Sequence, residues 1–482
     1  MSLLERIGPW FRPAAYLGRN RLTLAGAVLT TSSAVTLISF WLLDIVVGGT
    51  INPYIGLIFL LILPGIFVIG LLLMPIGVLW RRMGLVKAGK LPAIYPRVDL
   101  SMSAVRHAVF WVGGLTLANV IIFSVASYRG VEYMDSAKFC GQTCHTVMQP
   151  EFTAYENSSH QRVACVECHI GPGASWFVRS KLSGLRQVYA VTFHTYEHPI
   201  PTPVAQLRPS RETCEQCHWP QVFTGNKLVV IRKFNEDEQN TEVTTVLLLK
   251  IGGRTWNGAV GIHGAHLDTK APIEYISTDR QRQTIAQVSY TDIAGQRTVF
   301  TATDTNPTAA QLAAGEHRTM DCIDCHNRPT HTFQLPESAI NQVMAQGGIS
   351  PDLPYIRKEA VQVLKVNYPD RETAARQIAA ALDNFYQAYY PDVYRDKRAL
   401  LDTAIGQVQA AYDRNVFPAM NVTWGTYPNN LGHMDFPGCF RCHDGSHTSA
   451  DGKTIPNDCD TCHTILAVEE PNPKVLADLG VN

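Results

Sequence analysis

The sequence carries no net charge. Lys and Arg number 41, and so do Asp and Glu, across 482 residues. Nothing in that balance points to a nucleic acid or another polyanionic partner. Charge of either sign is scarce: 17% of residues are charged, against about 25% in soluble domains. Such a deficit suits a chain that keeps part of its length in lipid. No cysteine stands alone either. All 12 fall into six close pairs, and close pairs are more often reactive than structural disulfides. The pairs recur at irregular spacing, which excludes a solenoid.

Each pair is followed directly by a histidine. The stretches are CGQTCH (Cys140, Cys144, His145), CVECH (Cys165, Cys168, His169), CEQCH (Cys214, Cys217, His218), CIDCH (Cys322, Cys325, His326), CFRCH (Cys439, Cys442, His443) and CDTCH (Cys459, Cys462, His463). A zinc ribbon needs no histidine at that position. C-x-x-C-H is the attachment pattern of a c-type haem. Each thiol forms a thioether to a porphyrin vinyl group, and the adjacent imidazole is placed to bind the iron. The first stretch has one extra residue between its thiols and reads as a sixth, variant site. Six covalently bound haems are therefore expected, and they would supply much of the apolar mass that a side-chain core normally provides.

Three apolar runs occupy residues 1–128, at about 23–47, 54–80 and 108–127. Each is long enough to span a bilayer as a helix, with Pro64 and Pro75 expected to kink the second. Arg6, Arg12, Arg19 and Arg21 precede the first run. Arg81, Arg82, Lys87, Lys90, Arg97 and Arg106 fill the loop after the second, whereas Gly48–Pro53 has no basic residue. The basic loops face the cytoplasm. The N-terminus is thus cytoplasmic, and everything after the third helix lies on the periplasmic side of a bacterial inner membrane, where c-type haem is attached.

The remainder reads as a mostly α and irregular, haem-packed multihaem cytochrome c fold. Residues 129–218 hold three sites and SWFVRSKLSGLRQVYAV, a basic amphipathic helix suited to the headgroup region. Residues 219–310 alternate β-branched runs with turn formers and read as a small β-rich insertion. The segment 311–335 carries the fourth site. Residues 336–425 are helical by pattern, with an antiparallel helix pair, and 426–482 carry the fifth and sixth sites.

Each low-spin iron needs a second axial ligand. His107 is excluded by topology. Among the other histidines outside the motifs, His160, His331, His433 and His447 are the leading candidates, followed by His263 and His317, then His194, His198 and His266. Met148 follows the first motif closely, and a thioether there would raise the haem potential.

These residues resemble the NapC/NirT family of membrane-anchored multihaem cytochromes, which includes NrfH-like quinol dehydrogenases. The resemblance rests on CHTVMQPEF with YENSSH, then CVECH, the Lys181 helix, CEQCH and CIDCHNRPTH, and covers roughly residues 110–335. It implies a tetrahaem module that accepts electrons from menaquinol or ubiquinol and passes them to a periplasmic cytochrome or reductase. It also implies Met148 on the first iron and Lys181 lining the quinol pocket. Where the family places an acid after that lysine, this chain has Gln187, so Glu151 or Glu132 would have to accept the proton. Three helices instead of one, the longer first motif, the insertion, the helical region and two further haems depart from the pattern and resemble a larger six- or seven-haem subgroup. All cysteines are used by six sites. Two other readings share these residues: a quinone reductase running the wire inward, and an electron-transfer subunit docked on other subunits of a membrane complex. A terminal reductase with an open iron is disfavoured by the spare histidines.

Overall fold

The computed structural model describes residues 12–13, 16–47, 62–95, 101–143, 145–171, 173–204, 207–219, 225–255, 258–292 and 294–481. It divides into two compact units, Met1–Phe139 and Cys140–Asn482. Arg6, Arg97, the Gly48–Pro53 loop, the start of the second apolar run and Cys144 lie outside the described residues.

The first unit consists of helices α1 (Arg21–Val47), α2 (Leu63–Lys87) and α3 (Ser103–Met134). Two described segments, Arg21–Ser39 and Leu63–Lys87, are long and apolar enough to cross a membrane. The third expected run falls within α3 and is not among them. Small residues draw α1 and α2 together, as they do between helices in lipid. A Cβ on Gly26 would sit 2.7 Å from the carbonyl oxygen of Gly70. Buried Thr30 and Ser33 donate back to Gly26 O at 2.8 Å and Leu29 O at 2.7 Å, so their hydroxyls are satisfied within α1. Asn20 Nδ2 donates across to Gly77 O at 3.0 Å. Pro75 lies inside α2. Pro64 falls in the first described turn of α2, and the residues directly before Ile62, where its expected kink would show, lie outside the described residues.

The second unit opens with α4 (His145–Glu156) and α5 (Ala174–Thr192). The β-rich stretch forms strands β1 (Lys227–Phe234), β2 (Glu242–Leu249), β3 (Gly253–Thr255), β4 (Gly258–Val260), β5 (Ile273–Ser277), β6 (Ile285–Thr291) and β7 (Arg297–Ala302), with the short helix α6 (Gly261–Leu267) between β4 and β5. They are not a self-contained insertion. β8 (Glu316–Thr319), β9 (His447–Ser449) and β10 (His463–Glu470) come from the later haem segments and complete the sheets, in the orders β1-β2-β10 and β8-β5-β6-β7-β9. Lys227 of β1 and His463 of β10 both pair with Leu249 of β2. The last haem motif therefore leads straight into a sheet whose other two strands lie far earlier in the chain, at Lys227–Phe234 and Glu242–Leu249.

The largest apolar cluster of this unit is built on α7 (Pro336–Ala345), α8 (Ile356–Leu364), α9 (Arg371–Tyr389) and α10 (Arg398–Asn415). In α9, Ala374, Ile378, Leu382 and Tyr386 recur every four residues and are fully buried, the spacing of one helix face. They meet Leu401, Ala404, Val408 and Ala411 of α10 in one cluster. Arg371, at the start of α9, donates to Asp413 O near the end of α10 at 2.5 Å. Arg398, at the start of α10, binds Asp383 at 2.7 Å. The pair is antiparallel.

Candidate haem-binding centres

The five regular motifs each place an imidazole opposite a second one. Ring centroids are 6.2 Å apart for His169 and His331, 6.0 Å for His218 and His160, and 6.4 Å for His326 and His263. They are 5.8 Å apart for His443 and His266, and 6.2 Å for His463 and His433. Two imidazoles that bind one iron from opposite sides keep their centroids roughly 6.3 Å apart, given a metal–nitrogen bond of about 2 Å. The residues fit a haem held by two histidines at five places. Among the described residues no three His, Cys, Asp or Glu side chains converge as the site of a bare metal ion would require.

Hydrogen bonds select the ring nitrogen that faces the partner. A ligating imidazole commonly donates its other N–H to a carbonyl or carboxylate. Three of the ten rings use Nδ1 in this way: His331 on Glu151 O at 3.0 Å, His266 on Ile262 O at 2.8 Å, and His443 on Pro456 O at 2.5 Å. Each leaves Nε2 unused by that bond. Burial holds His331, His263 and His266 below the ordinary histidine range, toward the neutral form that binds metal.

Two expected ligands sit elsewhere. His447 is 2% exposed, with Nδ1 on Asp444 at 3.2 Å and Nε2 on Ile285 O at 3.0 Å. Both nitrogens are occupied, so His447 serves to hold β9 on its sheet. His317, on β8, has Nε2 3.2 Å from Leu312 O. His266, ranked low from the sequence, takes the place opposite His443. Its signal was the spacing GIHGAHL, which puts it one helical turn after His263.

The motifs touch in chain order. The side chains of Cys140 and Cys165 lie side by side. Cys168 is within electrostatic reach of Cys214 and Cys217. The side chains of Cys322 and Cys214 lie side by side. Cys325 is within reach of Cys439 and Cys442, and Cys462 of Cys439. Sequence reasoning missed the device that fastens the fourth motif to the fifth. Asp324, 2% exposed, accepts from Tyr275 Oη at 2.6 Å and Arg318 Nε at 3.1 Å. Arg441, inside the fifth motif, donates to the Asp324 carbonyl at 2.7 Å. At the first motif the described part is smaller: Cys144 and the side chain of His145 lie outside it, and Met148 is half-buried on α4.

Both candidate acids carry a basic partner. Glu151 places both carboxylate oxygens 3.0 Å from Arg328 and one of them 3.1 Å from His331. Its charge is committed beside the second motif's partner imidazole, which corrects the expectation of a proton acceptor there. Glu132 pairs with Arg129 at 2.8 Å. Lys181 and Gln187 lie on α5, where Gln187 donates to Ser183 at 3.3 Å. The expected apolar face of α5 is present: Val178, Leu182, Leu185, Val188 and Tyr189 are all exposed.

A row of thiol-pair motifs with imidazole pairs at the span of one iron defines a multihaem c-type cytochrome. Comparison with known proteins narrows the class. The profile of the NapC/NirT cytochrome c family, N-terminal region, matches residues 102–200. Over 464 residues, 96% of this chain and 90% of the relative, it is 41% identical to the cytochrome c-type protein ImcH of Geobacter sulfurreducens. Over 102 residues, 20% of this chain and 57% of the relative, it is 28% identical to the cytochrome c-type protein NrfH of Wolinella succinogenes. The chain belongs to the NapC/NirT cytochrome c family: it is a membrane-anchored electron-transport cytochrome with covalently bound haem c. No solved structure matches it.

Proposed function

We propose that this chain is a six-haem cytochrome of the bacterial inner membrane that oxidises menaquinol or ubiquinol and relays the electrons to a periplasmic cytochrome or reductase. The observation that supports this most is the unbroken row of motifs, five of them with an opposed imidazole. A haem carries one electron at a time between its two iron states. The chain supplies ligation, spacing and electrostatics.

Helices α1, α2 and α3 would be the three spans. The basic residues before α1 and at the end of α2 favour a cytoplasmic N-terminus and a periplasmic haem unit. The exposed apolar face of α5, with Arg179 and Arg186 on the same helix, suits a position in the headgroup layer, where a lipid-soluble reductant arrives. Lys181 would hydrogen-bond the quinol oxygen. Gln187, an amide, would position the quinol without taking a proton. Quinol releases two electrons and two protons on becoming quinone, and the protons would leave to the aqueous side. Met148 would bind the first iron. His331, His160 and His433 would complete the second, third and sixth irons opposite His169, His218 and His463.

Purified protein mixed with reduced quinol provides the test, with haem reduction followed by absorbance. The wild type should be reduced, and Lys181→Ala should slow reduction about tenfold at unchanged haem content, the cost of one lost hydrogen bond of about 1.4 kcal/mol in the transition state. A variant as fast as wild type removes Lys181 from the scheme. A wild type inert to quinol overturns the reading.

A further inference from the structure

We infer that helix α6 carries two iron ligands, His263 for the fourth haem and His266 for the fifth, and is the joint through which electrons pass between the first four haems and the last two. This rests on the six-haem reading and not on its quinol step.

The two histidines are three residues apart on one short helix, yet they face different motifs. His263 is opposite His326 at 6.4 Å, and His266 is opposite His443 at 5.8 Å. One turn of backbone thereby sets the distance between two irons. A rise of about 1.5 Å per residue leaves little slack in that distance. The attachment sides of the same two haems are also tied, because Arg441 of the fifth motif donates to the carbonyl of Asp324 in the fourth. Both haems would thus be clamped to each other on both faces.

The joint is itself held in place. Gly261 has φ +67° and Gly252 has φ +51°, a region that costs a side chain energy. A Cβ on Gly261 would come within 2.5 Å of Lys250 O. The amides of Ile262 and His263 donate to Lys250 O and Ile251 O, both at 2.9 Å. Lys250 N in turn donates to Cys462 O at 2.9 Å. Lys250, which accepts from the start of α6, therefore also holds the sixth motif. His266 Nδ1 is spent on Ile262 O within the helix, which aims Nε2 outward at His443. His447, the other candidate near the fifth motif, has no free ring nitrogen.

The test uses the full-length haem-loaded protein and electron paramagnetic resonance, with haem content measured for each variant. His263→Ala and His266→Ala should each turn one haem of six from low-spin to high-spin, and the double variant two. His447→Ala should turn none. For a variant that loses haem, His266→Met decides. It keeps a sixth ligand and should raise the midpoint potential of one haem while five stay unchanged, since a thioether in place of an imidazole favours the reduced iron. The inference is overturned if His266→Ala leaves all six low-spin, if His447→Ala is the variant that converts one, or if His266→Met leaves every potential in place. A wild type that quinol does not reduce would sink the quinol step alone and leave these spectra as they are.

Discussion

Glu151 and Arg328 form the most consequential side-chain pair outside the motifs. Arg328 is 7% exposed. It makes two hydrogen bonds to the Glu151 carboxylate at 3.0 Å, donates to His331 O at 2.5 Å, and lies over the Tyr427 ring at 4.3 Å. The pair therefore sets both the backbone and the ring of His331. Removing one partner of a buried ion pair leaves the other charge unpaired and costs about 3–5 kcal/mol. Arg328→Met should lower stability by that amount in denaturant titration and broaden the spectrum of one haem. Arg395, an exposed cation between Asp392 and Asp396, makes the contrast: Arg395→Ala should leave both measurements unchanged, because exposed pairs contribute little.

Among the elements, the sheets do more than fill space. β10 begins at His463 and β8 ends three residues before Cys322, so strand register sets where two attachment motifs stand. The fifth motif is held instead by a tight turn. Gly438 precedes Cys439 and has φ +50°. A Cβ there would run into the carbonyl oxygen of Gly432, which Cys439 N uses as its hydrogen-bond acceptor at 3.1 Å. Gly438→Ala should cost about 1–3 kcal/mol of backbone strain and displace the thiol. The haem-to-protein ratio should fall from six toward five. A variant that retains all six haems at wild-type stability would show that the turn tolerates a side chain.

The whole molecule joins a helical membrane unit to a unit whose largest packed side-chain cluster is built on α7–α10, with smaller clusters around Phe417 and Tyr275, and whose motifs form a row. Covalent attachment makes a plain prediction. Acid–acetone treatment, which extracts haem held only by its iron ligands, should extract none from this chain. Intact mass should then show six haem additions and no free thiol. An unmodified Cys140 would reduce the number to five and remove the variant first motif, while the order of the remaining motifs would stand.

What the sequence determined by itself is what local chemistry encodes. A thioether site needs two thiols and a histidine within a few residues, and a membrane span needs one continuous apolar run. Both are legible without any fold, and so are the alternation of the strands and the four-residue stripe of α9. The imidazoles that face the motif histidines are not local. His331 meets His169 from the far side of two other motifs, and nothing near either residue marks the pair. His447 and His266 differ only in what surrounds them: one has both nitrogens closed by Asp444 and a backbone carbonyl, the other has one nitrogen left open. The tertiary structure also closed the β-rich stretch with strands from the C-terminal haem segments and turned Glu151 from a candidate acid into the partner of Arg328. Each of these depends on the meeting of distant segments, and only packing decides which segments meet.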